Sequence, residues 1–355
     1  MKTLKIKKGK VFKIFLIILI IIVSIEIALL LNSKDIKNPN TSLSAPNKIS
    51  YWTKRIKKIG PQEAYAEFKI MNEKYISGQQ HLQAHIFGEA LYSSEGILGI
   101  STCDNSFSFG CYHSFFGSAV SDKGVEIVKK LDQTCLESYG PKGLGCPHGI
   151  GHGLIEYLGH DDKNLIKGLA QCEKLSWKGK IFGCSSGAFM EYFFPALTSP
   201  ILSQEGKVEL SSLTTSIHQL DPLNSHAPCN QIPEQHKASC YYEIVPWWNI
   251  VYKGDMAKLE SLCSEIEENE YRKYCFISIG ATFAYSGEKG LEKTISNCQS
   301  MKTIEREDLC RAGASWRYFS LSEHDNTSIP DPCADLSTSR KEACFANSNI
   351  MGLKE

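Results

Sequence analysis

The residues with the clearest chemical meaning lie in Cys146-Pro-His-Gly-Ile-Gly-His-Gly153 and the Leu-Ile-Glu156 that follows. His148 and His152 are four residues apart and Glu156 is four further on, so a helix places all three on roughly one face. The same pattern recurs as His81, His85 and Glu89. Ten histidines in 355 residues predict on the order of 0.3 pairs at this spacing by chance. Two pairs, each followed by a glutamate, therefore point to a common cause. Imidazoles at i and i+4 can grip one metal ion from a single helical turn, and a third imidazole or a carboxylate from a neighbouring helix completes the set. Such nitrogen-rich ligands suit zinc, copper, iron or nickel. The candidate metal ligands are His81, His85, His113, His148 and His152, with Glu89 and Glu156 as further ligands, partners of ligands, or general bases acting on metal-bound water.

Competing chemistry is available to the same residues. Gly140-Pro-Lys-Gly-Leu-Gly145 leads into Pro147, a good first-turn residue, so Lys142 with the backbone at Gly143 and Gly145 forms a candidate anion site. Histidines near their ordinary pKa also serve as acid and base in metal-free hydrolases and lyases. A third reading makes the histidines structural, on a scaffold that binds protein or glycan in a groove. Gly183-Cys-Ser185-Ser-Gly187 matches the nucleophile-elbow pattern, which ordinarily needs a strand-turn-helix setting. No His-Glu-x2-His, Walker loop or Rossmann fingerprint occurs.

The elements that must position these residues are set by the cysteines. The fourteen fall into seven consecutive pairs: Cys103 and Cys111, Cys135 and Cys146, Cys172 and Cys184, Cys229 and Cys240, Cys263 and Cys275, Cys298 and Cys310, Cys333 and Cys344. Six spacings are 11 or 12, and pair starts recur every 32 to 37 residues except for one interval of 57. A period of this size marks a repeat array. Each unit reads as a helical hairpin: an amphipathic helix such as Asp255-Met-Ala-Lys-Leu-Glu-Ser-Leu-Cys263 ends at the first cysteine, and a longer apolar helix such as Tyr274–Tyr285 starts at the second. A bridge within each unit would staple the two helices. No Cys-x2-Cys occurs, which removes zinc ribbons, thioredoxin-like centres and c-type haem attachment. The period resembles that of tetratricopeptide and Sel1-like repeats in architecture, without their consensus residues. The expected fold is an all-α, solenoid-like or superhelical array of about 35-residue disulfide-stapled hairpins.

The cysteine phase also aligns the histidines. Two residues after the second cysteine of each unit stand His113, His148, Ser186, Tyr242, Ile277, Ala312 and Ala346. Aligning His81 and His85 with His148 and His152 adds a cysteine-less first unit, so that three successive units present histidines side by side. The His-bearing units span about 61–160. An insertion rich in Ser, Pro and Leu occupies about 193–228, and aromatics such as Tyr241, Tyr242, Trp247, Trp248 and Trp316 belong to the second helices as core or groove lining.

At the N-terminus six lysines precede the first acidic residue, and residues 14–31 are apolar apart from Ser24 and Glu26. This is close to the roughly 20 residues of a spanning helix. The lysines place the N-terminus in the cytoplasm, giving a cytoplasmic tail at 1–13, a transmembrane signal-anchor helix at 14–31, a linker at 32–48 and an extracytoplasmic repeat domain at 49–355. An oxidising compartment suits the cysteines. Equal counts of 39 basic and 39 acidic residues, with the lysines concentrated at the N-terminus, leave a slightly acidic body and argue against nucleic acid as a partner. Sequons begin at Asn40 and Asn326.

Overall fold

A computed structural model describes residues 44–349 except 76, 141–142, 144, 195–217, 219, 222, 285–289 and 326–330; residues 77, 78 and 320–325 are described by backbone alone. The expected tail, anchor and most of the linker lie outside the described residues, as do most of the insertion and both sequons. Among the described residues no helix is long and apolar enough to cross a membrane.

All the regular structure described is helical. Among the described residues fourteen α-helices run α1 (Ala45–Ile59), α2 (Pro61–Asn72), α3 (Ser77–Glu95), α4 (Gly110–Lys123), α5 (Val128–Tyr139), α6 (Gly145–Leu158), α7 (Asp162–Cys172), α8 (Gly183–Phe193), α9 (Glu234–Val251), α10 (Met256–Ser264), α11 (Asn269–Thr282), α12 (Gly290–Gln299), α13 (Ile304–Asp325) and α14 (Thr338–Ser348). α1 begins inside the stretch expected as linker. Pro46 is in its first turn, where a missing N–H costs no hydrogen bond. Elsewhere Asp161 and Asp255 cap α7 and α10, each accepting from the backbone N–H three residues on.

One row of helices packs in chain order: α1, α3, α4, α6, α8, α9, α11, α13 and α14. Each of α2, α5, α7, α10 and α12 packs against members of this row. All seven cysteine pairs form bridges within their own unit, with Cα–Cα distances between 5.4 and 5.9 Å. The two-helix hairpin holds for the units whose first cysteine lies in or at the end of α5, α7, α10 and α12. It does not hold for the other three. Cys103 follows a 3-10 helix, Gly96–Thr102, and Cys229 and Cys333 sit in turns. The bridge needs only two Cα atoms at the right separation, so a turn presents a cysteine as well as a helix end does.

Glycines let the row pack closely. A Cβ on Gly151 would lie 2.0 Å from the Cys184 carbonyl oxygen, one on Gly280 would lie 1.7 Å from that of Cys310, and one on Gly88 would lie 2.2 Å from that of Cys111. The recurring contact makes Gly88, Gly151 and Gly280 equivalent positions. It also corrects the alignment of the cysteine-less unit. Counting back three residues, Gly151 leads to His148 but Gly88 leads to His85, so His85 rather than His81 is the equivalent of His148. Without a cysteine to set its phase, spacing alone aligns that unit one helical turn out.

Candidate metal centre

The corrected register explains the geometry of the histidines. His85, His113 and His148 occupy equivalent positions on α3, α4 and α6, which are successive in the row. His81 lies one turn before His85, and His152 one turn after His148. Both flanking residues therefore converge on His113. Ring centroids lie 5.1 Å apart for His81 and His113, 5.2 Å for His85 and His113, 5.5 Å for His113 and His148, and 3.9 Å for His113 and His152. Two groups of three result, His81 with His85 and His113, and His113 with His148 and His152. Within each group one nitrogen per ring lies within 4.8 Å of the other two. Four of the five histidines are buried and His81 is half-buried.

Each end of the cluster is anchored. His81 Nδ1 is 2.8 Å from the Phe107 carbonyl oxygen, which accepts only if Nδ1 carries the proton. That leaves His81 Nε2 as a bare lone pair, 3.0 Å from His85 Nε2. At the other end His152 Nδ1 is 3.0 Å from Glu191 Oε2, and its Nε2 is 3.1 Å from His148 Nε2. The buried Glu191 also meets His160 Nε2 through Oε1 at 2.9 Å. Carboxylate and carbonyl partners of this kind fix the tautomer and ring orientation of metal-binding histidines. In the middle, His113 Nδ1 lies 3.3 Å from His85 Nε2, and its buried Nε2 has no hydrogen-bond partner.

The loop that supplies the Phe107 carbonyl is strained. Phe107, Ser108 and Phe109 have φ of 56°, 51° and 66°, left-handed values that non-glycine residues rarely adopt even singly. The conformation directs one carbonyl at His81 and brings the Phe109 ring to 5.9 Å from His148. A Cβ on Gly145 would lie 2.4 Å from the Phe109 ring, so bare backbone at the start of α6 makes room for this loop.

Burial strips water from the imidazoles and disfavours their charged forms. It holds His81 down to about 4, the Phe107 hydrogen bond opposing and the His152 charge adding to the shift. His113 and His148 are held well below the ordinary range by burial first and then by neighbouring histidines. These rings are neutral at pH 7, the form that binds metal.

The glutamates lie beyond the histidines. Glu156 extends over α4, where a Cβ on Gly117 would lie 2.1 Å from its Oε2. Burial of its carboxyl and the charges of Glu191 and Glu89 push it up to about 8, although the residue keeps a solvent-exposed edge. Glu89 is raised by burial. The convergent groups themselves contain histidine only. One position on in the row Ser186 replaces the histidine and donates to Glu243, a buried carboxyl pushed up to about 7 by burial, with the Ser186 bond opposing.

Of the residues expected to line an anion site, only Gly143 and Gly145 are described. Gly145 packs on Phe109 and Gly143 on Tyr139, while Lys142 lies outside the described residues. The aromatics expected in the core or along a groove, Tyr241, Tyr242, Trp247, Trp248 and Trp316, are all buried. Glu191, His160 and the Phe107 carbonyl had no sequence signal: each depends on a tertiary contact rather than on a spacing. Ser185 is in the first turn of α8, within hydrogen-bond distance of His236.

No family model, curated protein or solved structure matches the chain.

Proposed function

We propose that this protein binds a transition-metal ion through its five-histidine cluster, in an extracytoplasmic domain held to the membrane by residues 14–31. The observation that carries the reading is the proton count at His113. With His81 Nε2 bare, His85 Nε2 must carry the proton between them. His113 Nδ1, facing that same nitrogen, then either opposes a second proton to it or accepts, which leaves Nε2–H buried with no acceptor. Either outcome costs roughly 1–3 kcal/mol in a buried site. A cation removes the conflict, because the nitrogens of a triad then all point lone pairs at one centre. Three of the nitrogen separations, 3.0, 3.1 and 3.3 Å, are close to the edge of a tetrahedron with metal–nitrogen bonds of about 2.0 Å, roughly 3.3 Å, and the others lie within 4.8 Å.

A three-histidine set leaves a coordination position for water or substrate. Glu156, one turn beyond His152 and open to solvent, is the carboxyl we assign to proton exchange there. Seven disulfides suit an oxidising compartment outside the cytoplasm. Zinc, copper, iron and nickel all accept such ligands.

The test is elemental mass spectrometry on the full chain, purified without chelator or affinity metal. Near-stoichiometric metal is expected, lost in His113→Ala because both triads need that residue. His81→Ala with His85→Ala, and His148→Ala with His152→Ala, show which triad holds it. Absence of metal from the parent after reconstitution with all four ions would leave a hydrogen-bonded histidine core and overturn the reading.

A further inference from the structure

A second constellation is made of residues outside the histidine cluster. Ser185 Oγ is 2.8 Å from His236 Nδ1, and His236 Nε2 is 3.2 Å from Glu173 Oε1. The Glu173 carboxylate accepts from Nε2–H, which leaves Nδ1 as the lone pair that receives the serine proton. His236 is buried, Ser185 is partly exposed and Glu173 is open to solvent. We propose that Ser185, His236 and Glu173 form an acyl-transfer site for carboxylic esters, with Ser185 as nucleophile, His236 as base and acid, and Glu173 as the positioning residue.

Two disulfides hold the parts. Ser185 directly follows Cys184 and Glu173 directly follows Cys172, and these cysteines are bridged with Cα atoms 5.4 Å apart. His236 is in the first turn of α9, four residues before Cys240, which is bridged to Cys229. The backbone entering α8 is left-handed at two successive residues, Phe182 (φ 62°) and Gly183 (φ 65°), and the helix has no side-chain cap. Ser185 is the third residue of α8, just past this sharp entry turn, within the Gly-x-Ser-x-Gly pattern known from nucleophile elbows and here reached without a strand. First-turn amides of a helix lack partners within the helix and suit an oxyanion. Burial lowers the His236 pKa against the opposing pull of Glu173, which keeps the ring available as a base at neutral pH.

In the reaction Ser185 Oγ bonds to the ester carbonyl carbon as its proton passes to His236 Nδ1. The carbon–oxygen bond to the alcohol then breaks, and Nδ1 returns the proton to the departing alkoxide. Water attacks the acyl-serine, gives a proton to Nδ1, and the carboxylic acid leaves as Ser185 recovers its hydrogen. No metal takes part, so this site stands or falls apart from the histidine cluster.

The experiment treats the full chain with a fluorophosphonate and maps the adduct by peptide mass spectrometry, beside hydrolysis of p-nitrophenyl butyrate. An adduct on Ser185 is expected, together with turnover reduced about 100-fold or more in Ser185→Ala and His236→Ala. In parent protein treated with a chelator the labelling should persist. Glu173→Gln should shift the acid limb of the pH–rate profile to lower pH, which loss of a merely structural hydrogen bond would not do. No adduct on Ser185 in folded parent protein, or equal hydrolysis by Ser185→Ala, would overturn the proposal; the first result needs no variant and so is independent of any folding defect.

Discussion

His113 meets His85 through Nδ1, and its buried Nε2 has no hydrogen-bond partner, because burial in the cluster has taken that nitrogen out of water. The same burial creates a pH dependence that can be worked out group by group. In the metal-free protein His81 has its pKa near 4 when folded and about 6.5 when unfolded. The unfolded chain takes up the proton first, so this contribution to stability is complete above about pH 6.5 and is lost as the pH falls towards 4. His113 and His148 act in the same direction. Glu243 and Glu156 act oppositely. Raised to about 7 and about 8 in the fold, they contribute stability that is present below the ordinary glutamate pKa and disappears as the pH rises through those values. Metal-free protein should therefore melt highest near pH 6.5 and lower on both sides, as read by scanning fluorimetry from pH 4 to 8.5. A melting temperature that climbs steadily to pH 8 would mean that the two carboxyls are ionised in the fold.

At the scale of the helix, glycine sets the separation within the row. Gly280 is on α11, and a Cβ there would lie 1.7 Å from a backbone oxygen of α13, which cannot rotate away. Gly280→Ala should destabilise by about 1–3 kcal/mol through forced separation of the two helices, visible as a lower urea midpoint. It should leave the metal content of the folded fraction unchanged, because α11 carries none of the five histidines. The bridges were legible in the sequence because cysteine spacing reports a covalent contact directly, whereas the two-helix form held for four of the seven units. The histidine ladder was legible from the same phase: His113 and His148 both stand two residues past a second cysteine, and both lie in the cluster. His81 and His85 were recognised as a pair but placed one turn out, because nothing covalent fixes α3. The left-handed run at 107–109 was invisible for a different reason. Phe, Ser and Phe carry no preference for that conformation, which must be imposed by contacts with α3 and α6. Ser185 matched a motif, but its partners His236 and Glu173 lie 51 and 12 residues away with no spacing rule to connect them.

Across the whole domain, stability and chemistry are shared between local staples and two extended apolar cores. One core contains residues from Ala45 to Cys184, and the other residues from Ile155 to Cys310. Each bridge closes a short loop, and for a separation of 12 residues the chain-entropy model assigns about 2.8 kcal/mol. Two such bridges should behave alike in stability and differently in function. The Cys298→Ala, Cys310→Ala pair joins α12 to α13, remote in sequence from every histidine named here. Its loss should lower the denaturation midpoint while sparing both metal content and the fluorophosphonate adduct. The Cys172→Ala, Cys184→Ala pair should lower the midpoint by a similar amount, but it also frees Glu173 from Ser185, each adjacent to one of the lost sulfurs. Labelling of Ser185 should therefore fall well below the parent rate, measured at a temperature where both variants remain folded by circular dichroism. Equal labelling of the two variants would show that packing around α8 aligns the serine without the bridge, and that the Cys172–Cys184 disulfide serves stability alone.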